Sequence, residues 1–358
     1  MTWIALADHL GGCFGPRGIS AGPGPAADEV MPKGSLLVET RLSPGRRPQR
    51  LLGHRRPHPW ASGLALYAVP GGGIVLVLSR GRKVFHATLN HDAEERADVI
   101  RVTYSWDMHA GGGRLVIERP ELSKAFIVRV EDPMPLMQSD VREMAAAPGG
   151  CEMDPDLVFF AVSDTVEPIG PMPALSPDVP IATPQGYRTA GDLRRGDMVT
   201  TLDGAAVPVL QVVERRVPAR GSFRPVRLRH PYFGLQSDVF VAPGQRLVIG
   251  GSQVEYMFGR EHVLVPARHL VNGTAALQEP PGLEMRYVHF LLPDHEAVIA
   301  AGTAIESLNI GRIRRKPELL SASLLAGFDR ATLPDHSVTA FPILRPFEAV
   351  TLAEARAA

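Results

Sequence analysis

The chain has 358 residues, 45% of them hydrophobic, and its 38 basic and 38 acidic side chains balance to zero net charge. This excludes a disordered chain, and the length exceeds what one hydrophobic core usually spans, so two domains are expected. A neutral chain has no electrostatic reason to bind nucleic acid or an anionic membrane surface, so neither is expected as a partner.

Two cysteines, Cys13 and Cys151, are too few for a disulfide scaffold. No apolar run approaches the ~20 residues of a membrane span. The first residues, MTWIALADHLGG, lack a basic start and carry Asp8 and His9, which makes a poor secretory signal. The expected location is cytoplasmic, or outside the cell by a signal-free route.

Residues 1–33 are rich in Gly, Pro and Ala without a sustained period, and read as a mobile leader. From Ser35 the character changes. Short alternating or apolar runs occupy 35–42, 49–54, 63–69, 73–78, 83–89, 99–106, 114–118 and 125–130, each bounded by Gly, Pro or Asp. Strands at that spacing predict an antiparallel β-sandwich over 34–165. The order of these runs, with Tyr104-Ser105-Trp106-Asp107, a Gly-rich turn and another strand, resembles the laminin-G/concanavalin-like jelly roll. That resemblance implies a module that binds a glycan or a protein surface.

Some relatives of that kind hydrolyse polysaccharides with paired acids on one strand face. The nearest pattern is Glu152-Met153-Asp154-Pro155-Asp156, which lacks the final Glu and carries a strand-breaking Pro, so hydrolysis is not expected. Trp60 and Tyr104 are candidates for stacking on a sugar, with a core role the commoner use of such aromatics. His54 and His58 have metal-like spacing, but the loop GHRRPHP puts two arginines between them and no Cys pair completes the set; no metal and no cofactor are expected. Cys151 reads as a small packed residue.

A connector follows, with a short helix over 137–147 and a buried-type strand over 157–163. Pro168, Pro171, Pro173, Pro177 and Pro180 then predict a stiff extended linker over 166–180. The last part of the chain reads as all-β over 181–312, with strands at 181–183, 198–202, 207–217, 223–228, 239–241, 246–249, 263–266, 285–292 and 297–300. A C-terminal tail over 313–358 carries a short helix at 318–326 and packs back on one of the domains.

The stretch 181–204, IATPQGYRTAGDLRRGDMVTTLDG, has a clear grammar: strand, turn, a Leu-Arg-Arg-Gly-Asp turn, strand, and an Asp-Gly hairpin. With VAPGQRLVI at 241–249, EYMFGREHVLVPARHLVNG at 255–273, YVHFLLPDHEAVIAAG at 287–302 and IESLNIG at 305–311, it resembles the Hint (Hedgehog/intein) domain of the bacterial stand-alone type. The resemblance covers about residues 172–312. It implies autoprocessing, in which a Cys or Ser side chain attacks the preceding carbonyl, assisted by a Thr/Ser-x-x-His block whose His protonates the leaving nitrogen.

The residues that would do this are missing. Aligned on Ile181, the nucleophile position holds Ala174, and the Thr/Ser-x-x-His block reads Ala242-Pro243-Gly244-Gln245. A methyl group cannot be acylated, and Gln has no proton to give. His289, Asp294, His295 and Glu296 match the family block, either as remnants of the acyl-shift site or as a hydrogen-bonded histidine and a hairpin turn. His262 and His269 look structural. Ser176, two residues after Ala174 and facing the same side of an extended chain, is the remaining candidate nucleophile, although Pro177 follows it.

The expected fold is therefore all-β, a sandwich followed by a Hint-type domain and a short helical tail. Two functions follow. One is a non-enzymatic, two-domain binding or scaffold protein with a degenerate Hint domain. The other is an autocatalytic protein that cleaves itself near 174–176 by an N-to-S/O acyl shift.

Overall fold

A computed structural model describes residues 2–25, 28–42, 48–57, 61–91, 99–122, 124–147 and 149–357. The chain divides into two units, Met1–Gly170 and Pro171–Ala358.

The first unit contains β1 (Trp3–Asp8), β2 (Gly11–Phe14), β3 (Lys33–Arg41), β4 (Gln49–Arg56), β5 (Ser62–Val69), β6 (Gly73–Arg80), β7 (Lys83–Asn90), β8 (Val99–Asp107), β9 (Gly112–Arg119) and β10 (Lys124–Glu131). After them come α1 (Gln138–Ala146), β11 (Glu152–Met153) and β12 (Leu157–Ser163). Antiparallel pairing joins them into a sheet in the order β10-β9-β8-β3-β12-β1-β2 and a second in the order β11-β4-β5-β6-β7. One core is drawn from both sheets: Leu36, Ile100, Val102 and Trp106 from the first, and Leu52, Leu64, Leu66, Ile74 and Leu76 from the second. β5 shows the period of two that builds it, with Ser62, Leu64, Leu66 and Ala68 buried and the residues between them half-exposed.

The expected leader over 1–33 is corrected by β1, which lies between β12 and β2 inside the larger sheet. Trp3, Ile4, Ala5 and Leu6 are all buried. A strand covered on both faces has no polar alternation to read, which is why composition alone suggested a loop. The helix α1 covers β1 and β2. Gly12 in β2 permits this, since a Cβ there would lie 2.1 Å from the carbonyl oxygen of Ala145.

The second unit contains β13 (Pro180–Thr183), β14 (Gly186–Thr189), β15 (Met198–Thr200), β16 (Ala206–Pro208), β17 (Gln211–Pro218), β18 (Val226–Leu228), β19 (Val239–Val241) and β20 (Arg246–Gly250). Then follow α2 (Ser252–Phe258), β21 (His262–Pro266), β22 (Ala276–Gln278), β23 (Glu284–Leu291), β24 (Ala297–Ala300), β25 (Thr303–Glu306), α3 (Pro317–Ser321) and α4 (Pro346–Ala357). A six-stranded sheet, β14-β13-β24-β25-β20-β21, is accompanied by the pairs β15-β16 and β17-β23 and by the trio β19-β18-β22. The pairings between these strands are antiparallel.

Three strands of this unit (β14, β22 and β25) and the helices α2 and α4 were not expected. The C-terminal tail packs on this unit: Leu344, Ala349 and Leu352 join its main core, while Leu320, Leu325 and Leu333 pack with Val213, Leu291 and Leu308. The expected linker over 166–180 is also corrected. Leu175 bridges Val241 and Val288 at once, and Leu175 and Val179 are buried in the core of the second unit. Pro173 and Pro177 lack N–H groups, but they leave those of Leu175 and Ser176 free to pair.

Candidate functional site

The segment 174–176 is held between β19 and β23. The N–H of Leu175 donates to the Val288 carbonyl at 3.1 Å, and the N–H of Val288 returns a bond to the Leu175 carbonyl at 2.8 Å. On the other side Ser176 N–H donates to Phe240 (2.9 Å), and Ala242 N–H donates to the Ala174 carbonyl at 2.7 Å. Two positions that the sequence keeps 68 residues apart are thus brought into direct contact. Ala174, Ser176, Ala242 and Gln245 are all buried.

The turn Ala242-Pro243-Gly244-Gln245 closes through Gln245 N–H donating to the Ala242 carbonyl at 3.0 Å. The Gln245 amide nitrogen donates to the carbonyls of Arg246 and Glu306, each at 3.1 Å. His289 Nε2 lies 3.2 Å from that same Glu306 carbonyl and donates to it. The Glu306 carboxylate gathers a second set: Arg246 Nη1 at 2.8 Å, the Arg246 N–H at 3.3 Å and His295 Nε2 at 3.1 Å. His295 Nδ1 accepts the N–H of Ala340 at 3.0 Å, which leaves the ring proton on Nε2 for Glu306.

One residue at the end of β25 therefore ties together Gln245, Arg246, His289 and His295. Arg246 and Glu306, not singled out in the sequence, are the charged pair of this cluster. The block containing Glu306 was visible, but only the β20–β25 pairing shows what its carboxylate faces.

Chemically the cluster is tied down. Burial drives His289 to about 4, against the raising pull of the Glu306 carboxylate, so its ring is neutral at pH 7. His289 Nδ1 and Gln245 Oε1 are buried acceptors without a hydrogen-bond partner among the described residues. Both nitrogens of His295 are engaged. The arrangement offers a positioned backbone and a neutral imidazole, with the methyl groups of Ala174 and Ala242 on either side of the bond that joins them.

The other candidates lie elsewhere. Tyr104 is core: it is 1% exposed, donates to the Met134 carbonyl at 2.9 Å and packs on Phe85 and Trp106. It is not available to stack on a sugar. Trp60 and His58 lie outside the described residues. Glu152 pairs with Arg50 at 2.7 Å on the short strand β11, and the Asp154 carboxylate accepts the Asp156 N–H, so these acids do not converge on a cleft. Cys151 donates to the Met144 carbonyl, and burial pushes its thiol up to about 11. His262 packs on Phe341, and burial with neighbouring Arg268 lowers His269 to about 4. Asp294 and Glu296 flank His295 before β24; Glu296 N–H donates to Ser307 Oγ. Among the described residues no group of three or more metal-ligating side chains converges, and no helix is long and apolar enough to cross a membrane.

Residues 173–312 match the family model described as Hint domain. The second unit contains a Hint domain. Its match starts one residue before Ala174 and ends beyond Glu306, so the cluster above lies within it. Among solved structures, the MchDnaB-1 intein is similar at 17% identity, over 37% of this chain and 99% of the intein, with a TM-score of 0.26. The Msm DnaB1 intein splicing domain bound with zinc is similar at 19% identity, over 38% of this chain and all of that one, at 0.26. A Ruminococcus gnavus IT-sialidase CBM40 bound to α2,3-sialyllactose is similar at 14% identity, over 38% of this chain and 79% of its own, at 0.27. No curated protein matches the chain.

Proposed function

We propose that this Hint domain has lost autoprocessing and is kept as a scaffold, and that the first unit is a laminin-G/concanavalin-like recognition module for a glycan or a protein surface. The observation that carries the reading is the contact between Ala174 and Ala242. The backbone at the nucleophile position is locked by a 2.7 Å hydrogen bond, yet neither residue, nor the buried Gln245 amide, supplies a nucleophile or a transferable proton. In an active domain a Cys at 174 would attack the Pro173 carbonyl carbon. A C–S bond would form as the C–N bond to residue 174 breaks, with the thiol's proton passing to the freed nitrogen by way of a histidine at 245.

Restoration tests this. Ala174→Cys with Ala242→Thr and Gln245→His should yield two fragments in the presence of a thiol, cut after Pro173, while the native protein stays whole. Cleavage of the native protein at a comparable rate would overturn the reading and leave Ser176 as the nucleophile. A triple variant as inert as the native protein would show that the loss extends beyond these three positions.

A further inference from the structure

The Hint match ends at residue 312, yet the chain beyond it closes over the second unit at the far edge of its six-stranded sheet. β21 is the last strand of that sheet, and its outer side offers main-chain groups for pairing. The tail takes them up. Leu264 N–H donates to the Pro342 carbonyl at 2.8 Å, and Leu344 N–H donates to the Leu264 carbonyl at 3.0 Å, a parallel bridge centred on Ile343. Phe341 packs on the His262 ring, and Leu344 enters the main core. Pro342 has no N–H to carry the pairing further.

Histidines, and not more ladder, hold the rest of this segment. His336 Nδ1 accepts the Ile310 N–H at 3.4 Å, and its Nε2 donates to the Leu292 carbonyl at 3.1 Å. His295 Nδ1 accepts the Ala340 N–H at 3.0 Å, with its Nε2 on Glu306. Both rings are buried, and their centres stand 6.0 Å apart. In each ring one nitrogen accepts and the other donates, which only a neutral imidazole can do. A second proton would set an N–H against the N–H of Ala340 or Ile310, and two charged rings at this distance would repel.

The groups around them set the response. His295 faces the Glu306 carboxylate, which it shares with Arg246, and has Asp294 and Glu296 beside it in the chain. Taking up a proton, His295 keeps Glu306 and loses Ala340, so acid shifts its bonding from the tail to the cluster. His336 faces His295 and Asp294 along with the Leu292 and Leu308 carbonyls; neighbouring Asp335 is held by Arg315 at 2.9 Å and Arg314 at 4.0 Å. Burial lowers His336 below its ordinary value, and His295 adds to this against the carbonyls and Asp294. A lowered value in the closed state supports that state above about pH 6.5 and withdraws the support as pH falls.

We propose that residues 336–344 form an acid-released strap, closed over the edge of β21 at neutral pH and opened when His295 and His336 take up protons. Opening bares to water both the outer side of β21 and the His295 end of the Glu306 cluster.

Hydrogen exchange on the full-length protein at pH 7.5 and pH 5, corrected for the intrinsic rate at each pH, reads the strap directly. Peptides spanning 336–345 and 262–266 should exchange about tenfold faster or more at pH 5, while those from β17 and β23 keep their protection. In the double variant His295→Gln with His336→Gln, which can take up neither proton, the acid step should vanish. Phe341→Ala, which touches no titratable group, should speed exchange of 336–345 already at pH 7.5. Equal protection of the native strap at the two pH values would overturn the proposal, and that comparison stands whether or not the double variant folds. An undiminished acid step in the double variant, no effect of Phe341→Ala, or an equal loss of protection in β17 and β23, which would mean that the whole unit opens, would each overturn it as well.

Discussion

Each unit buries one carboxylate beside an arginine and a histidine, and the two arrangements come out differently. Glu306 faces Arg246 and His295 at 2.8 and 3.1 Å, and its carbonyl holds Gln245 and His289 as well. One carboxylate there meets one arginine. Asp140 faces Arg56 and His54 in the same way, but Arg56 also reaches Asp28, and Arg80 stands beside a cavity. The same ingredients thus make a closed keystone in one unit and an open cluster beside a cavity in the other. What decides between them is how completely the donors around the carboxylate are paired, and the space beside them.

The largest expected effect belongs to the keystone. Glu306→Ala strands Arg246 and the histidine in a dry site and should cost about 3–5 kcal/mol in urea denaturation. Gly302→Ala, at the turn between β24 and β25, should come next. Gly302 has φ of +90°, and a Cβ there would meet the Gly234 carbonyl oxygen at 2.8 Å. A loss of about 2–3 kcal/mol is expected from the strained conformation and the clash together. In the open cluster, Asp140→Asn should cost about 2 kcal/mol through the charged hydrogen bonds it weakens. Arg80→Gln should cost under about 1 kcal/mol, because one bond to a carbonyl is all it loses. An Arg80 variant as damaging as Glu306→Ala would erase the distinction between the clusters.

The two histidines should give opposite pH responses, and these are the smallest effects. Burial pulls the His54 imidazolium down, but the nearby carboxylates of Asp140 and Glu143 and the hydrogen bond to the Gly150 carbonyl outweigh it and hold the ring above its ordinary value. A raised folded value means the proton is held more tightly in the folded state. Its contribution is therefore full below about pH 6.5 and lost as pH rises through the folded value. His289, lowered to about 4 by burial, works the other way. It favours the folded state above about pH 6.5, and that advantage is lost as pH falls toward 4. Thermal unfolding across pH 4–9 checks both: His54→Gln should flatten only the alkaline side, and His289→Gln only the acidic side.

Much of this architecture could be read from the residues. The expected runs from 35 to 130 correspond to β3–β10 because each alternates or ends at a turn residue, as Leu64, Leu66 and Ala68 do before Pro70-Gly71-Gly72. Ala174 and the Ala242–Gln245 turn, singled out by their neighbours in the chain, do come together in space through the Ala242 N–H bond to the Ala174 carbonyl. β1 was hidden because Trp3–Leu6 is buried on both faces and shows no alternation. Leu175 was hidden among prolines that mark a linker by composition but leave its own N–H free to pair. The charged hubs were hidden for another reason. Nothing near Glu306 or Asp140 in the chain announces that Arg246 lies 60 residues away in sequence and 2.8 Å away in space, or that Arg56 closes on α1.

The most direct test of the central claim is the intact mass of freshly purified full-length protein, before and after incubation with a thiol. A Hint domain that has lost its chemistry predicts one unchanged species near 38.7 kDa. Two fragments, the second beginning at Ala174, Leu175 or Ser176, would contradict it.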